Sequence, residues 1–415
     1  MAVGLSDAPG AITVRGDVVT PTGVLPDALV VARDGRVVWV GPAKDAPVEH
    51  VPPVPPAGTR VLPGLVDLHC HGGGGASFPD ATGPDDVRRA AEDHLRHGTT
   101  TLVASLVTAP RDALLARTAL LAAAADAGVV AGIHLEGPFL SRVRAGAQHP
   151  PDMVDGDTDL VRELAAVARG HLVSMTVAPE VPGVADGDDD VLAALVAAGA
   201  LPSVGHTDAS AERVDAAISR AFDLLATSAR ARGARPTATH LFNGMPPLHH
   251  RDPGPVAACL GAAARGELVV ELVADGTHLA PATVRAVMEL VGPDGAVLVT
   301  DAIAAAGMPD GDYRLGPQAV RVAGGVARVL VDRPGAAAEV GSIAGGVAHL
   351  LDVVRATVEA GVPLVDAVRA ASATPAQVLG RHDVGALVVG RRADVVVTTA
   401  DLRPVRVARA GAWLA

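Results

Sequence analysis

Residues 99–136 read TTTLVASLVTAPRDALLARTALLAAAADAGVVAGIHLE. An apolar, β-type run at 99–106 is followed by a stretch with helical spacing at 111–127 and by a second apolar run at 132–136. This order is typical of a strand–helix–strand unit with parallel strands. The stretch therefore predicts an α/β fold.

The same alternation continues along most of the chain, with further helical stretches at 85–97, 157–168 and 211–226. Eight strand-like runs is the number that a (β/α)8 barrel needs. A doubly wound sheet also alternates, but eight crossovers favour the barrel, so we predict a TIM-type barrel. The strand-like runs are residues 64–70, 99–106, 132–136, 172–178, 201–204, 237–241, 268–274 and 296–300.

Short β-branched segments separated by turns occupy both ends of the chain. The first sixty residues hold four such segments and the hairpin signal Asp34-Gly35, and the tail holds three more. We therefore predict a small β-sandwich domain built from residues 1–60 and 384–415. The barrel domain is expected at residues 61–383.

The composition narrows the classes of function. Hydrophobic residues make up 49% of the 415 residues, which excludes disorder as the main state. Four Phe, two Trp and one Tyr argue against binding by stacking, and a net charge of −12 argues against a nucleic-acid or membrane partner. Cys70 and Cys259 cannot form a disulfide framework, so we expect a cytoplasmic location. We find no signal-peptide pattern and no membrane-spanning stretch.

Two residue types are used in unusual numbers. Lys44 is the only lysine among 34 basic residues, and it lies outside the predicted barrel. Lysine-based chemistry is therefore excluded at every other position. This exclusion covers a carboxylated lysine that bridges two metals in the barrel. The 15 histidines outnumber the aromatic residues twofold. We interpret His94 and His97 as surface residues of a helix.

Many of the remaining ligand-capable side chains come directly after strand-like runs. Because the carboxyl ends of barrel strands converge on one rim, where active sites of this fold lie, we expect these side chains to meet. Histidine and carboxylate groups delivered by several strands to one rim predict a metal site. The residues are His69, His71, His134, Glu136, His206, Asp208, His240, Asn243, Asp275, His278 and Asp301.

The histidines admit more than one interpretation. His69 and His71 lie on one face of an extended strand, as two ligands of one ion need, although an HxH pair also arises by accident. His206 and His240 follow the fifth and sixth runs as natural imidazole ligands, with hydrogen-bonded core histidines as the alternative. His134 either supports the ligands from behind or belongs to core packing.

The carboxylates fall into two groups. Glu136 follows an apolar run, and a buried carboxylate there needs a cation or a hydrogen-bond partner. Asp301, after the eighth run, is either a ligand or a base. We expect Asp208 and Asp275 to be structural and to hold neighbouring loops.

Several motifs together point to a known family. In chain order between residues 63 and 302 they are PGLVDLHCHGGGG, HLEGPF, TVAPE, GHTDA, ATHLFNGMP, ADGTH and LVTDA. With these motifs the chain resembles the N-acetylglucosamine-6-phosphate deacetylase family of the amidohydrolase superfamily. HLEGPF, THLFNGMP and ADGTH are highly specific in combination, and the terminal β segments match the family's small domain.

The resemblance implies a divalent metal centre. Glu136, His206 and His240 correspond to the ligands of the main ion, and His69 and His71 would add a second ion with Glu136 as the bridge. One or two ions per subunit are expected, with zinc as the first choice and iron or manganese as alternatives.

The resemblance also implies a substrate site for an amino-sugar phosphate. Asn243, the backbone at Gly244, and Arg251 match phosphate-binding positions, and Arg251 can reach the neighbouring subunit of a homodimer. The chain departs from the family pattern where Gln148 and His149 follow Gly146. Either Gln148 replaces a substrate-binding histidine, or His149 is that histidine shifted by one position.

The implied reaction is metal-dependent deacetylation of N-acetylglucosamine 6-phosphate. Asp301 corresponds to the general base and acid, and His278 to a contact near the scissile carbonyl. The alternatives are the galacto epimer as substrate, a D-aminoacylase-like activity, and a catalytically silent sugar-phosphate binder. Residues 340–343 also differ from the family pattern, which leaves the sugar specificity open.

Overall fold

A parallel sheet forms the centre of the molecule. The computed structural model describes residues 11–331 and 339–414. Eight strands follow one another in space in the order of the sequence, each hydrogen-bonded to the next. They are Leu65–Cys70, Thr99–Val107, Gly132–Glu136, Leu172–Val177, Leu201–Val204, Thr237–Ala238, Val269–Leu272 and Ala296–Leu298.

The sheet closes between its first strand and the segment that follows its eighth. Cys70 and Ala302 form a parallel bridge. The backbone N–H of His71 donates to Ala302 O at 2.7 Å, and that of Asp301 donates to His69 O at 2.9 Å. Each of the eight predicted runs overlaps one barrel strand, so the predicted α/β barrel is confirmed.

Helices connect the barrel strands. Those predicted at 85–97, 111–127, 157–168 and 211–226 are present to within one residue at each end. Two begin at side-chain caps, where Asp157 accepts from Leu160 N and Ser210 accepts from Arg213 N. In the described ranges, no helix is long and apolar enough to cross a membrane. The α-helices are Pro84–Arg96, Arg111–Asp126, Thr158–Ala168, Val191–Ala197, Ala211–Thr227, Gly254–Ala264, Pro281–Val291, Leu350–Glu359, Leu364–Ala370 and Ala373–Val378.

Strands from both ends of the chain form a second, mostly antiparallel sheet, in agreement with the predicted small β domain. Arg60–Pro63 joins its two halves, because it pairs with both Ala11–Thr20 and Val395–Thr398. Residues 1–10 of the predicted first segment lie outside the described residues, and the domain boundaries stay a prediction. The strands are Ala11–Thr20, Gly23–Arg33, Arg36–Pro42, Arg60–Pro63, Val395–Thr398, Pro404–Arg409 and Ala412–Trp413.

A four-stranded antiparallel sheet, which the prediction above does not contain, is inserted after the eighth barrel strand. Residues 318–323 alternate between buried and more exposed positions, and the following Gly324-Gly325 turn has positive φ at both residues. A hairpin signal is therefore present in the sequence. The strands are Gly311–Leu315, Gln318–Ala323, Val326–Val331 and Glu339–Ile343.

The interpretation of His94 as a surface residue is wrong. His94 is fully buried, and its Nε2 lies 2.9 Å from the carbonyl oxygen of Gly72. Burial lowers the pKa of this imidazole to about 4. A Cβ at Gly73 would lie 2.6 Å from His94 Nε2, so the glycine-rich loop covers this helix face because it lacks side chains. His97, in contrast, is partly exposed.

Candidate active site and metal centre

Polar side chains meet in a cavity of about 310 Å³ at the carboxyl end of the barrel. The inserted sheet contributes Leu315, Ser342 and Ile343 to its wall. His69 is fully buried and adjoins the cavity residues, whereas His149 and Arg251 do not line the cavity. The predicted residues that line it are His71, Glu136, Gln148, His206, His240, Asn243, Gly244, His278 and Asp301.

Three predicted ligands form one buried group. Oε1 of Glu136 lies 2.9 Å from His206 Nε2 and 2.8 Å from His240 Nε2. The ligand atoms of all three residues lie within 4.8 Å of one another. This separation suits a single ion coordinated by two imidazoles and one carboxylate.

A second buried group consists of His69, His71 and Asp301. The Nε2 atoms of the two histidines are 3.0 Å apart, and Asp301 Oδ1 lies 3.4 Å from the first and 3.3 Å from the second. The two imidazoles of the HxH pair therefore point at the same place. Asp301 is within reach both as a ligand and as a base.

Glu136 connects the two groups. Its Oε1 faces His206 and His240, while its Oε2 lies 3.1 Å from His71 Nε2. Burial alone would raise the pKa of Glu136, but hydrogen bonds from the surrounding imidazoles outweigh it and hold the pKa well below its usual range. A carboxylate with one oxygen toward each group fits a metal bridge, and the nitrogen and oxygen donors fit a divalent transition metal.

The backbone is strained where the ligands leave their strands. His206, His240 and Asp301 have φ of +47°, +28° and +48°, each just past the end of a barrel strand. For a residue other than glycine this conformation costs roughly 1–2 kcal/mol and is concentrated at functional sites. The abrupt turn directs each side chain across the rim. It also explains why the strands before His240 and Asp301 end two or three residues earlier than the predicted runs.

Two buried carboxylates behind the site are missing from the sequence predictions. Glu271 Oε2 lies 3.1 Å from His69 Nδ1 and accepts from His240 N at 3.2 Å. Asp67 accepts from Thr300 Oγ1 at 2.6 Å, and burial raises the pKa of Asp67 to about 7. Each carboxylate interrupts an otherwise apolar strand, which is the sequence signal that could have identified it.

His134 supports the site without joining the ligands. Its Nδ1 lies 3.0 Å from Ser105 Oγ and its Nε2 lies 2.8 Å from Thr176 Oγ1. Its ring meets the His69 ring edge-on, with 4.4 Å between centroids. Both ring nitrogens are therefore used within the barrel, which favours the supporting role over that of a ligand.

His278 is held by Asp275. The imidazole Nδ1 lies 2.9 Å from Asp275 Oδ2, and the backbone N–H groups of Thr277 and His278 donate to Asp275 Oδ1. Burial lowers the pKa of His278, but the Asp275 carboxylate more than compensates, and the net shift is upward. Asp275 thus leaves the Nε2 side of His278 as the part available to the cavity.

The structure separates Gln148 from His149. Gln148 lines the cavity and donates through Nε2 to Glu136 Oε2 at 2.7 Å, while its Oε1 accepts from Thr108 N at 2.9 Å. His149 turns outward, with its Nδ1 2.8 Å from Asp152 Oδ2. The geometry therefore favours Gln148 as the residue that faces a ligand.

The predicted phosphate-binding residues are divided between the cavity and the surface. Asn243 and Gly244 line the cavity, and a Cβ at Gly244 would lie 2.8 Å from His206 Nδ1. Arg251 is exposed on the loop that follows, where its backbone N–H donates to His249. Its side chain does not reach the cavity of its own chain.

Comparison with known proteins identifies relatives over most of the chain. Residues 60–411 match the model of the amidohydrolase family. N-acetylglucosamine-6-phosphate deacetylase of Bacillus subtilis is 31% identical over 396 residues, 92% of each chain. The human protein of the same name is 34% identical over 352 residues, 82% of this chain and 80% of its own length.

Solved structures of that enzyme have the same architecture. A Mycobacterium smegmatis N-acetyl-D-glucosamine-6-phosphate deacetylase, in complex with N-acetyl-D-glucosamine-6-phosphate, is 39% identical with a TM-score of 0.86. The match covers 97% of this chain and 99% of that one. The Thermotoga maritima enzyme is 26% identical with a TM-score of 0.79, over 97% of this chain and 99% of that one. The chain therefore belongs to the amidohydrolase family and, within it, to the N-acetylglucosamine-6-phosphate deacetylases.

Proposed function

We propose that the enzyme hydrolyses the acetamide of N-acetylglucosamine 6-phosphate to glucosamine 6-phosphate and acetate. The observation that carries the proposal is the bridging position of Glu136 between two groups of imidazoles, at the base of an open cavity. Relatives with this activity in their names match over more than four-fifths of the chain. A structural metal site would instead be closed by four ligands and leave no base beside it.

Glu136, His206 and His240 would hold the main ion, and His69 and His71 would complete a second site with Glu136 as the bridge. A divalent metal bound there supplies Lewis acidity and lowers the pKa of a bound water to about 7. We propose zinc as the metal, with iron and manganese as alternatives and one or two ions per subunit. Gln148 would hold the Glu136 carboxylate through the hydrogen bond at 2.7 Å.

Asp301 would move the proton in the reaction. As a carboxylate it accepts the proton of the attacking water while the new C–O bond forms at the acetyl carbon. It then returns this proton to the nitrogen as the C–N bond breaks, because an amide does not expel an unprotonated amine. His278, oriented by Asp275, would donate to the carbonyl oxygen as negative charge develops there.

The phosphate of the substrate would bind to Asn243 and the backbone of Gly244, which line the cavity. We propose that Arg251 is supplied to this position by the second subunit of a homodimer. A guanidinium suits this position because it donates paired hydrogen bonds to phosphate oxygens.

Cys70 and Cys259 are both free thiols, which supports a cytoplasmic location.

An acetate-release assay tests the proposed function. The substrates are the gluco and galacto epimers of the N-acetylated sugar, each with and without the 6-phosphate, combined with metal analysis of the purified enzyme. The proposal expects turnover of the phosphorylated gluco epimer above the other three. Faster acetate release from the galacto epimer, or from an N-acetyl-D-amino acid assayed in parallel, would show that this compound is the substrate instead. Binding of the sugar phosphate without acetate release would contradict the proposed hydrolysis.

Arg251→Ala provides the test of the phosphate site. We expect a higher KM for the phosphorylated sugar, by roughly tenfold or more for the loss of charge-assisted hydrogen bonds. Turnover of the non-phosphorylated sugar serves as the internal control and should change little. An equal loss on both substrates would contradict a phosphate contact.

A further inference from the structure

A second cavity lies at the amino end of the barrel, away from the metal centre. Its volume is about 600 Å³, and we call it the amino-end cavity. One wall is the loop that leads into the sixth barrel strand, with Arg232, Gly233 and Arg235, and the other includes Val378, Gly380 and His382. No predicted active-site residue lines it, so it is separate from the proposed function.

Two arginines in this cavity form no ion pair with any residue that the structure describes. Nη2 of Arg232 donates to Gly170 O at 2.6 Å, but its Nε is buried and meets no hydrogen-bond partner. Arg235 is half-buried and forms no hydrogen bond or ion pair with any described residue. Burial lowers the pKa of both guanidinium groups, and the like charge of Arg381 lowers that of Arg232 further. Both cations are therefore partly desolvated, and the Asp294 carboxylate offsets only part of this effect at Arg235.

The carboxylates in the neighbourhood are already occupied. Asp294, the acidic group that acts on Arg235, forms an ion pair with Arg369 at 2.5 Å. Asp383 accepts from Arg381 at 2.6 and 2.8 Å. Among the described residues that line the cavity, none is acidic. In a chain with a net charge of −12, this is a local excess of positive charge.

Close backbone contacts hold the two walls together. A Cβ at Gly380, whose φ is +65°, would lie 2.1 Å from Arg232 O, and a Cβ at Gly233 would lie 2.6 Å from Val378 O. Only glycine permits these approaches. The backbone at Arg232 and Gly233 is thus fixed against the opposite wall before any ligand binds, which reduces the ordering cost of binding.

We propose that the amino-end cavity binds a small phosphorylated metabolite whose phosphate accepts hydrogen bonds from Arg232 and Arg235. Guanidinium groups match phosphate oxygens in geometry and charge, and Arg235 has no hydrogen bond to a described residue that a phosphate would have to displace. A cavity of this volume holds more than an inorganic ion and is in the range of small-molecule sites. The ligand class is therefore a phosphate monoester with a polar body.

The test compares the wild-type enzyme with an Arg232→Gln/Arg235→Gln double variant. Arg230→Gln is the matched control, because Arg230 is exposed on the same loop and outside the cavity. Thermal shifts with inorganic phosphate and with glucose 6-phosphate measure binding, and crystals soaked in tungstate locate the anion. Anion-binding sites elsewhere in the enzyme contribute equally to the thermal shifts of all three proteins.

The proposal expects tungstate between the two guanidinium groups in the wild type and in Arg230→Gln, but not in the double variant. Glucose 6-phosphate should also stabilise the wild type and Arg230→Gln at low concentrations. The double variant should require a concentration about tenfold higher, or more, for the same thermal shift. Without ligand, the double variant should lose little stability, since it gives up one hydrogen bond, from Arg232 to Gly170 O, and no ion pair with a described residue. Three results would each overturn the proposal: an empty cavity in the wild type, equal responses in all three proteins, or the same response to inorganic phosphate as to the sugar phosphate.

Discussion

At the scale of single residues, Glu136 shows how tightly the orientations in the site are coupled. A backbone N–H can only donate, so the hydrogen bond from Thr108 N identifies the oxygen end of the Gln148 amide. The amide nitrogen must then face Glu136 Oε2, the oxygen nearer to His71. Gln148 therefore acts on the carboxylate that both groups of histidines share.

Replacing Asp301 by Asn tests its role as the base. Asn keeps the shape of the side chain but cannot accept a proton, so we expect kcat to fall about 10²–10⁴-fold. The variant should still bind the metal held by Glu136, His206 and His240. The control is Asp312→Asn, at an exposed position of the inserted sheet, which should leave kcat unchanged. Near-normal turnover of Asp301→Asn would remove this residue as the base.

Gly244→Ala tests the packing around a metal ligand. The new Cβ would lie 2.8 Å from His206 Nδ1, so the imidazole must leave the position in which its Nε2 faces Glu136. We therefore expect loss of bound metal, measured by mass spectrometry. Gly292→Ala is the matched control, with φ of +68° against +61° at Gly244 and no atom within 4 Å of its Cβ. An equal loss of metal in the two variants would show that backbone strain, and not the contact with His206, removes the metal.

At the scale of elements, two helices are joined by a histidine outside the active site. His349, immediately before helix Leu350–Glu359, lies with its Nε2 2.8 Å from Asp93 Oδ2 of helix Pro84–Arg96. Its ring stacks on that of His97, with 3.6 Å between centroids. The contact connects the helix that follows the first barrel strand with the helix that follows the eighth.

This contact predicts a pH dependence of stability. Burial lowers the pKa of His349, but the carboxylates of Asp352 and Asp93 outweigh it and raise the pKa to about 9. Because the pKa is about 6.5 in an unfolded chain, the stabilisation is complete below pH 6.5 and is lost as pH rises through 9. The loss is on the order of 1–3 kcal/mol.

The measurement is the melting temperature between pH 6.5 and 9.5 for the wild type, His349→Gln and the exposed control His50→Gln. We expect the wild type and His50→Gln to lose stability over this interval more steeply than His349→Gln. Parallel curves for all three proteins would contradict the raised pKa.

The elements also show what sequence patterns predict well. The eight barrel strands and four of the helices follow from local periodicity, since each element's own residues carry the signal. The inserted sheet is missing from the prediction because eight strand-like runs already complete a barrel. The alternation of buried and exposed residues at 318–323 comes after the eighth run. His94 was misplaced because helical spacing does not reveal which loop covers a helix face.

At the scale of the whole molecule, metal binding should contribute to folding stability. The proposed ligands lie on or directly after four different barrel strands, so the complete set exists only in the folded barrel. A metal that binds only the folded state stabilises it by about 2.7 kcal/mol at a hundred times its Kd. Chelation should therefore lower the melting temperature by a few degrees, and added metal should restore it. Glu136→Gln is the control, in which the chelator should have a much smaller effect.

The sequence by itself determined the barrel, the small terminal domain and the set of predicted metal ligands. These conclusions depend on periodicity and short motifs, which are local properties of the chain. The tertiary structure decided that Gln148 rather than His149 faces the cavity, that Glu271 supports His69, and that Arg232 and Arg235 form no ion pair within the described part of the chain. Residues 202 positions apart, such as His69 and Glu271, become neighbours only when the strands close into a barrel. Whether a buried charge is paired thus depends on distant packing that no local pattern records.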